Sequence, residues 1–256
     1  MNLKVLGCHG GESRKHRTTS FLVNDSVAID AGAITSALSL EEQLRITTVL
    51  VSHPHLDHVR DLATVADNRC QQGGPPIEIV GIPDTIATLR EHFFNDRLWP
   101  DFSRIPTDQG PTLVFREVAA DVAFDLGGLR VTPVHVNHTI DAVGFVIDDG
   151  ASAIAYSGDT GPTERFWKLA NETPNLSAVM LEVSFPDEMT RIAELSKHLT
   201  PTMAKHELAK LRPEKRELPI LVYHVKPVFE APTHRELAKI AGHDLRILSL
   251  DDVYDL

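Results

Sequence analysis

The chain has 256 residues, 42% hydrophobic and 24% charged, with 36 acidic against 25 basic side chains and a net charge of −11. That is ordinary globular usage, long enough to bury a sizeable core as one αβ unit over 1–256; the acidic balance offers no basic stripe for long nucleic acid. No apolar run approaches the ~20 residues of a membrane helix, Cys8 and Cys70 are too few for a disulfide framework, and the first residues lack a signal-peptide block, so a cytoplasmic protein is expected.

In chain order, 3–8 and 20–24 read as short strands, and a tight turn at Asn24-Asp25 leads into a third over 26–32. The densest basic run, Ser13–Arg17, reads as a solvated loop that can also meet a small anion. Apolar spacing predicts a helix over 35–46, and 47–52 is a buried strand. Residues 58–69 form a helix, 77–81 a strand, and 83–94 a helix with Pro83 in its first turn. The middle is rich in strands, over 112–118, 122–136, 142–149 and 152–159, with hairpin breaks at Gly127-Gly128 and Asp148–Gly150. Helix and strand then alternate: helix 163–170, strand 176–185, helix 200–211 capped by Thr200 with Pro201 following, strand 218–225, and a helix from about Thr233. This order suggests two sheets with helices on their outer faces.

Histidine is plentiful, with 13 residues, several beside Asp, Pro or Gly rather than inside periodic apolar segments. The densest group, His53, His55, Asp57 and His58, follows directly on the strand 47–52. Packed into a core, these side chains would suffer desolvation and crowding without compensation. Imidazole and carboxylate donors suit zinc, iron or manganese. Four donors in six residues cannot wrap one ion and leave it reactive, so two ions and further ligands downstream are expected. His138, Asp159 and His224 are the candidates, each where a strand gives way to a loop, and an aspartate in the position of Asp159 can bridge two cations. His92, His135, His206, His234 and His243 read as ordinary hydrogen-bonded histidines.

The motif HxHxDH, a later histidine, an SGD aspartate and a final histidine, in this order, resemble the metallo-β-lactamase superfamily. The resemblance implies an αββα sandwich with a dinuclear site at one edge of its two sheets. It implies His53, His55 and His138 on one ion, Asp57, His58 and His224 on the other, Asp159 bridging, and Asp30 orienting a ligand from behind. HPHLDHV, EHFFNDRLWPDF and YHVKP look like the class II cyclic-nucleotide phosphodiesterases. LEVSF…KHLTP resembles ribonuclease Z and makes Glu182 and His198 catalytic candidates beside Asp57. One departure from the cyclic-nucleotide branch is Asp61, where that pattern carries a small residue.

Ribonuclease Z inserts a long arm for transfer RNA between its third-motif histidine and its bridging aspartate. Here only 20 residues separate His138 from Asp159, and they read as one hairpin. A small substrate is therefore expected: a 3',5'-cyclic nucleotide such as cAMP or cGMP, opened to its 5'-monophosphate by a hydroxide shared between two divalent ions, zinc first, iron or manganese otherwise. His198 would serve the leaving oxygen or the phosphate, while Lys226 reads as a solvated surface cation. The aromatic residues of 92–106 wall the nucleotide pocket, where rings stack on bases, form a homodimer contact, or tuck a helix end onto the core. A ribonuclease Z-like nuclease, a lactam or thioester hydrolase, and a non-enzymatic di-iron oxygen or redox sensor are the alternatives on the same fold.

Overall fold

The computed structural model describes residues 1–256. The first of two seven-stranded sheets runs Val253–Asp255, Asn2–Gly7, Ser20–Val23, Val27–Ile29, Thr48–Leu50, Ile77–Gly81 and Leu113–Glu117 from edge to edge. The second runs Asp244–Ile247, Pro219–Tyr223, Leu176–Glu182, Ala153–Tyr156, Val143–Asp148, Leu129–His135 and Phe124–Leu126. Each is mixed, with antiparallel hairpins at one side and parallel pairs at the other. The Asn24-Asp25 and Gly127-Gly128 turns have positive φ at both residues, which matches the right-handed twist of the strands they join.

Side chains alternate across each strand, and this alternation builds four layers. Val5, Phe21, Ile29 and Leu50 of the first sheet meet Phe145, Ile154, Met180 and Leu221 of the second in one buried cluster. Their neighbours Ala28, Val49 and Ile79 face outward and pack on Val65 and Ala66 of the helix Leu62–Gln72 and Ile86 of Pro83–Thr88. Ala155, Val179 and Val222 likewise carry Phe166 and Trp167 of Arg165–Glu172 and Ala204 and Leu208 of Pro201–Leu208. The αββα order expected from the sequence is the order observed.

Element boundaries differ where capping competes with periodicity. The helix expected over 35–46 is two, Ile34–Ala37 and Leu40–Arg45, because Ser39 and Glu42 form a capping box that restarts it. Residues 58–69 divide into Leu56–Val59 and Leu62–Gln72. Pro83–Thr88 continues into a π-helical turn, Leu89–Phe93. Thr200 caps Pro201–Leu208 as expected, its side chain accepting from the Met203 amide, whereas the last helix starts earlier, at Glu230. A helix at Thr190–Ser196 and the closing strands Asp244–Ile247 and Val253–Asp255 were not foreseen; the last covers the edge of Asn2–Gly7.

Two sequence puzzles resolve here. Phe94 and Phe102 are buried, and Phe93 and Trp99 pack beside them, in the helix layer outside the first sheet. The Trp99 indole N–H donates to the Ala63 carbonyl at 3.0 Å. These rings complete a core rather than wall the histidine cluster. Asp61 accepts from the Thr35 amide and hydroxyl, both at 2.8 Å, so its carboxylate ties two helices together and leaves the cluster untouched.

Arg69 is buried in this layer and donates to the carbonyls of Leu44, Ile46 and Pro75 at 2.9, 2.8 and 3.1 Å. An Arg69→Met variant strands those acceptors and should lose about 3 kcal/mol of unfolding free energy in urea melts. A loss below ~0.5 kcal/mol, the level of an ordinary surface change, would show that the guanidinium is dispensable.

Candidate metal centre

Six strand ends deliver the site. Asp30 follows Val27–Ile29, His53 follows Thr48–Leu50, His138 follows Leu129–His135, and Asp159 follows Ala153–Tyr156. Glu182 ends its strand and His224 follows Pro219–Tyr223. Chain direction can change there while the sheets stay rigid. The two sheets are joined at this edge, where the His224 amide donates to the Cys8 carbonyl at 2.7 Å.

Two groups of donor atoms form. In one, His53 Nε2 lies 3.1 Å and His138 Nε2 3.2 Å from His55 Nδ1. In the other, Asp57, His58 and His224 place their donor atoms within 4.8 Å of one another, with His224 Nε2 3.4 Å from Asp57 Oδ2. Asp159 stands between the groups. Its Oδ2 is 3.9 Å from His53 Nε2, 3.3 Å from His58 Nε2 and 3.2 Å from His224 Nε2. All seven sequence candidates are thus brought together.

A surrounding shell fixes the rings. Asp30 Oδ2 accepts from His58 Nδ1 at 2.8 Å, from the Ser52 hydroxyl at 2.8 Å and from the Tyr156 hydroxyl at 2.6 Å. Ser52 also lies 3.0 Å from His53 Nδ1. His138 Nδ1 is 3.2 Å from the Lys197 carbonyl, and His224 Nδ1 is 2.9 Å from the Ser184 hydroxyl. Asp30 and His224 both hold positive φ, +55° and +69°, a conformation that costs a non-glycine residue roughly 1–3 kcal/mol and persists where surroundings enforce it.

Glu182 is fully buried behind this shell. It accepts from the Thr160 amide at 3.2 Å, from His198 Nδ1 at 2.9 Å and from the Ser184 hydroxyl at 3.0 Å. His198 therefore turns its other nitrogen toward the centre, stacked on His224 at 5.2 Å between ring centroids. Its donor atom lies within 4.8 Å of those of His138 and Asp159. Lys226 is half-buried, donating to the Gly10 carbonyl at 2.9 Å with its ammonium 5.9 Å from the Phe185 ring. The solvated surface role read from sequence is corrected accordingly.

Burial and charge set the protonation of these groups. Burial pushes the His138 imidazole down to about 4, and burial, with His58 beside it, drives His53 well below the ordinary imidazole value. Burial also works against charge on His58, but Asp159 and Asp30 outweigh it and hold that ring well above its ordinary value. Asp159 shows the converse: burial opposes its charge, yet His224 and His58 keep the carboxyl well below its usual range. Ionised Asp159 and neutral His53 and His138 are the forms that bind metal, and an ion at His58 Nε2 would take the place of that ring's proton.

The residues fit a cation. His58 Nε2, His224 Nε2 and Asp159 Oδ1 are buried with no hydrogen-bond partner, a cost that native interiors avoid. A divalent ion coordinated by these atoms removes it. Ser52, Ser184 and Tyr156 lie beside motif residues or at a strand end, but nothing in the spacing of one hydroxyl marks its role.

The family model described as a β-lactamase superfamily domain matches residues 22–220. A relative described as a probable 3',5'-cyclic-nucleotide phosphodiesterase from Yersinia pestis is 29% identical, over 97% of this chain and 82% of its own length. Unliganded yeast PDE1 superposes with a TM-score of 0.81 at 21% identity, covering 98% of this chain and 97% of that one. The short form of human tRNase Z superposes at 0.73 with 19% identity, over 100% and 99% of the two chains.

Proposed function

The chain belongs to the β-lactamase superfamily, and from that membership and the site's geometry we propose that it is a phosphodiesterase opening 3',5'-cyclic nucleotides to 5'-monophosphates at a dinuclear metal centre. The carrying observation is Asp159 Oδ2, set within 3.9 Å of nitrogens from both donor groups. In this reading His53, His55 and His138 would hold one ion, Asp57, His58 and His224 the other, with Asp159 near both. Zinc suits the donors first, with iron or manganese as alternatives. Ions so held lower the pKa of water toward ~7 and neutralise charge on phosphoryl oxygens.

The protein's own groups do the rest. His198 reaches the oxygen leaving phosphorus and supplies its proton as the water oxygen–phosphorus bond forms and the phosphorus–O3' bond breaks. Glu182, with no contact on the centre, holds His198 through Nδ1 and is a positioning residue, which narrows the catalytic role read from sequence. Asp57 acts as a ligand. A small substrate is supported by the simple hairpin of Val143–Asp148 and Ala153–Tyr156 between His138 and Asp159 and by the description of the Yersinia relative. No helix is long and apolar enough to cross a membrane.

Purified protein loaded with metal should convert cAMP or cGMP to the 5'-monophosphate, and chelation should abolish turnover. Loaded protein that leaves both intact while cleaving linear diesters or precursor transfer RNA would overturn the substrate assignment. Asp30→Asn, which keeps a residue tolerant of positive φ, should weaken metal affinity 10- to 100-fold by loosening His58. Unchanged affinity in a metal-buffered titration would remove Asp30 from the site.

A further inference from the structure

A second cluster of donors lies on the other side of the Cys8–Gly10 segment, outside the centre described above. His9, His16 and Glu230 place their donor atoms within 4.8 Å of one another. The His9 and His16 rings meet edge to face at 4.6 Å, and His16 Nε2 is 3.4 Å from Glu230 Oε2. His9 Nδ1 lies 3.3 Å from the Arg17 carbonyl, and His16 Nδ1 is hydrogen-bonded to the Ser13 hydroxyl. Anchoring a ring through one nitrogen so that the other faces a carboxylate donor, as His16 does toward Glu230, is how metal-binding histidines are oriented.

The cluster opens into a cavity of about 540 Å³ lined by Cys8, His9, His16, Glu230, His234 and Leu248, among others. Glu230 and His234 are four residues apart on the helix Glu230–Leu237, share one face, and both line the cavity. Cys8 is buried, with its Sγ 3.5 Å from the Leu248 carbonyl. Exposed Lys15 is the single cationic side chain on the cavity wall.

We infer that His9, His16 and Glu230, with His234 beside them, form a further binding site for a zinc-type divalent ion. Two imidazoles and a carboxylate suit zinc or cobalt and leave a position open toward the cavity. An ion there ties the loop 9–17 to the start of the helix Glu230–Leu237. Because Gly10 lies against His224 and its amide donates to the Val225 carbonyl at 3.1 Å, such a tie also steadies the segment carrying His224.

The test counts metal in the full chain. Wild type and a His16→Gln, Glu230→Gln double variant, both shown folded by circular dichroism, are saturated with zinc and dialysed. The variant should retain one equivalent fewer than wild type, whatever the count at the main centre. Cobalt titration should show the matching set of visible bands vanish, with affinity at that step falling at least ~100-fold. A His9→Gln variant should repeat the loss. Equal zinc content and identical cobalt spectra in wild type and variants would overturn the site.

Discussion

Asp159→Ala should weaken the hold on both ions of the main centre and lower turnover of a cyclic nucleotide by about 10³-fold or more. The magnitude follows from metal-ion catalysis worth several kcal/mol, at 1.36 kcal/mol per decade. Asp57→Ala should behave differently. Asp57 meets His224 and lies in one donor group, so its removal should cost one ion and leave His53, His55 and His138 to hold the other. Metal analysis of the two variants beside wild type therefore reads the bridge directly. Equal metal loss from both would contradict the assignment of Asp159 to a shared position. An Asp159→Ala protein that keeps both ions of the main centre and most of its activity would sink the shared role of Asp159. Asp159→Asn serves as a control for shape: it keeps the volume, removes the charge, and should also fail to hold two cations at the bridge.

That prediction depends on geometry that the sequence carries only in part. The cluster 53–58 was legible because four donors after an apolar strand have no good structural use, and His138, Asp159 and His224 because each ends a strand. Layering was legible from the alternation of helix and strand patterns. What stayed hidden depends on distance in space. Ser184 lies 2.9 Å from His224 Nδ1 and 3.2 Å from His198 Nδ1, but in the chain it is 40 residues from one and 14 from the other. Asp30 and Tyr156, 126 residues apart, meet at 2.6 Å. His9 and His16 showed no metal spacing, since their third partner, Glu230, joins only when the last helix packs beside the first loop. The aromatic residues of 92–106 left core, pocket and subunit contact all open for a related reason: clustering in sequence cannot say which face a ring turns to, and these rings turn to the helix layer. Short elements were lost as well, because the three- and four-residue strands at the C-terminus are defined by their pairing partners.

His198 and Glu182 give the second large effect, and it separates proton transfer from metal binding. His198→Ala should reduce kcat by 10² to 10⁴, the usual worth of a positioned acid, while metal content stays at the wild-type level. The two readouts matter because the donor atoms of His198, His138 and Asp159 lie within 4.8 Å of one another, so a ligand role is geometrically open to this ring. Loss of an ion together with activity would move His198 into the metal set; loss of activity alone keeps it at the leaving oxygen. Substrates with a better leaving group than a ribose oxygen need less protonation, so the defect should shrink markedly on a p-nitrophenyl diester. Glu182→Gln should fall between wild type and His198→Ala, since glutamine can still accept the His198 N–H but no longer supplies the carboxylate that favours the charged ring. If Glu182→Gln matched wild type on the cyclic nucleotide, the buried Glu182–His198 pair at 2.9 Å would be a packing feature of the strand end rather than part of the reaction.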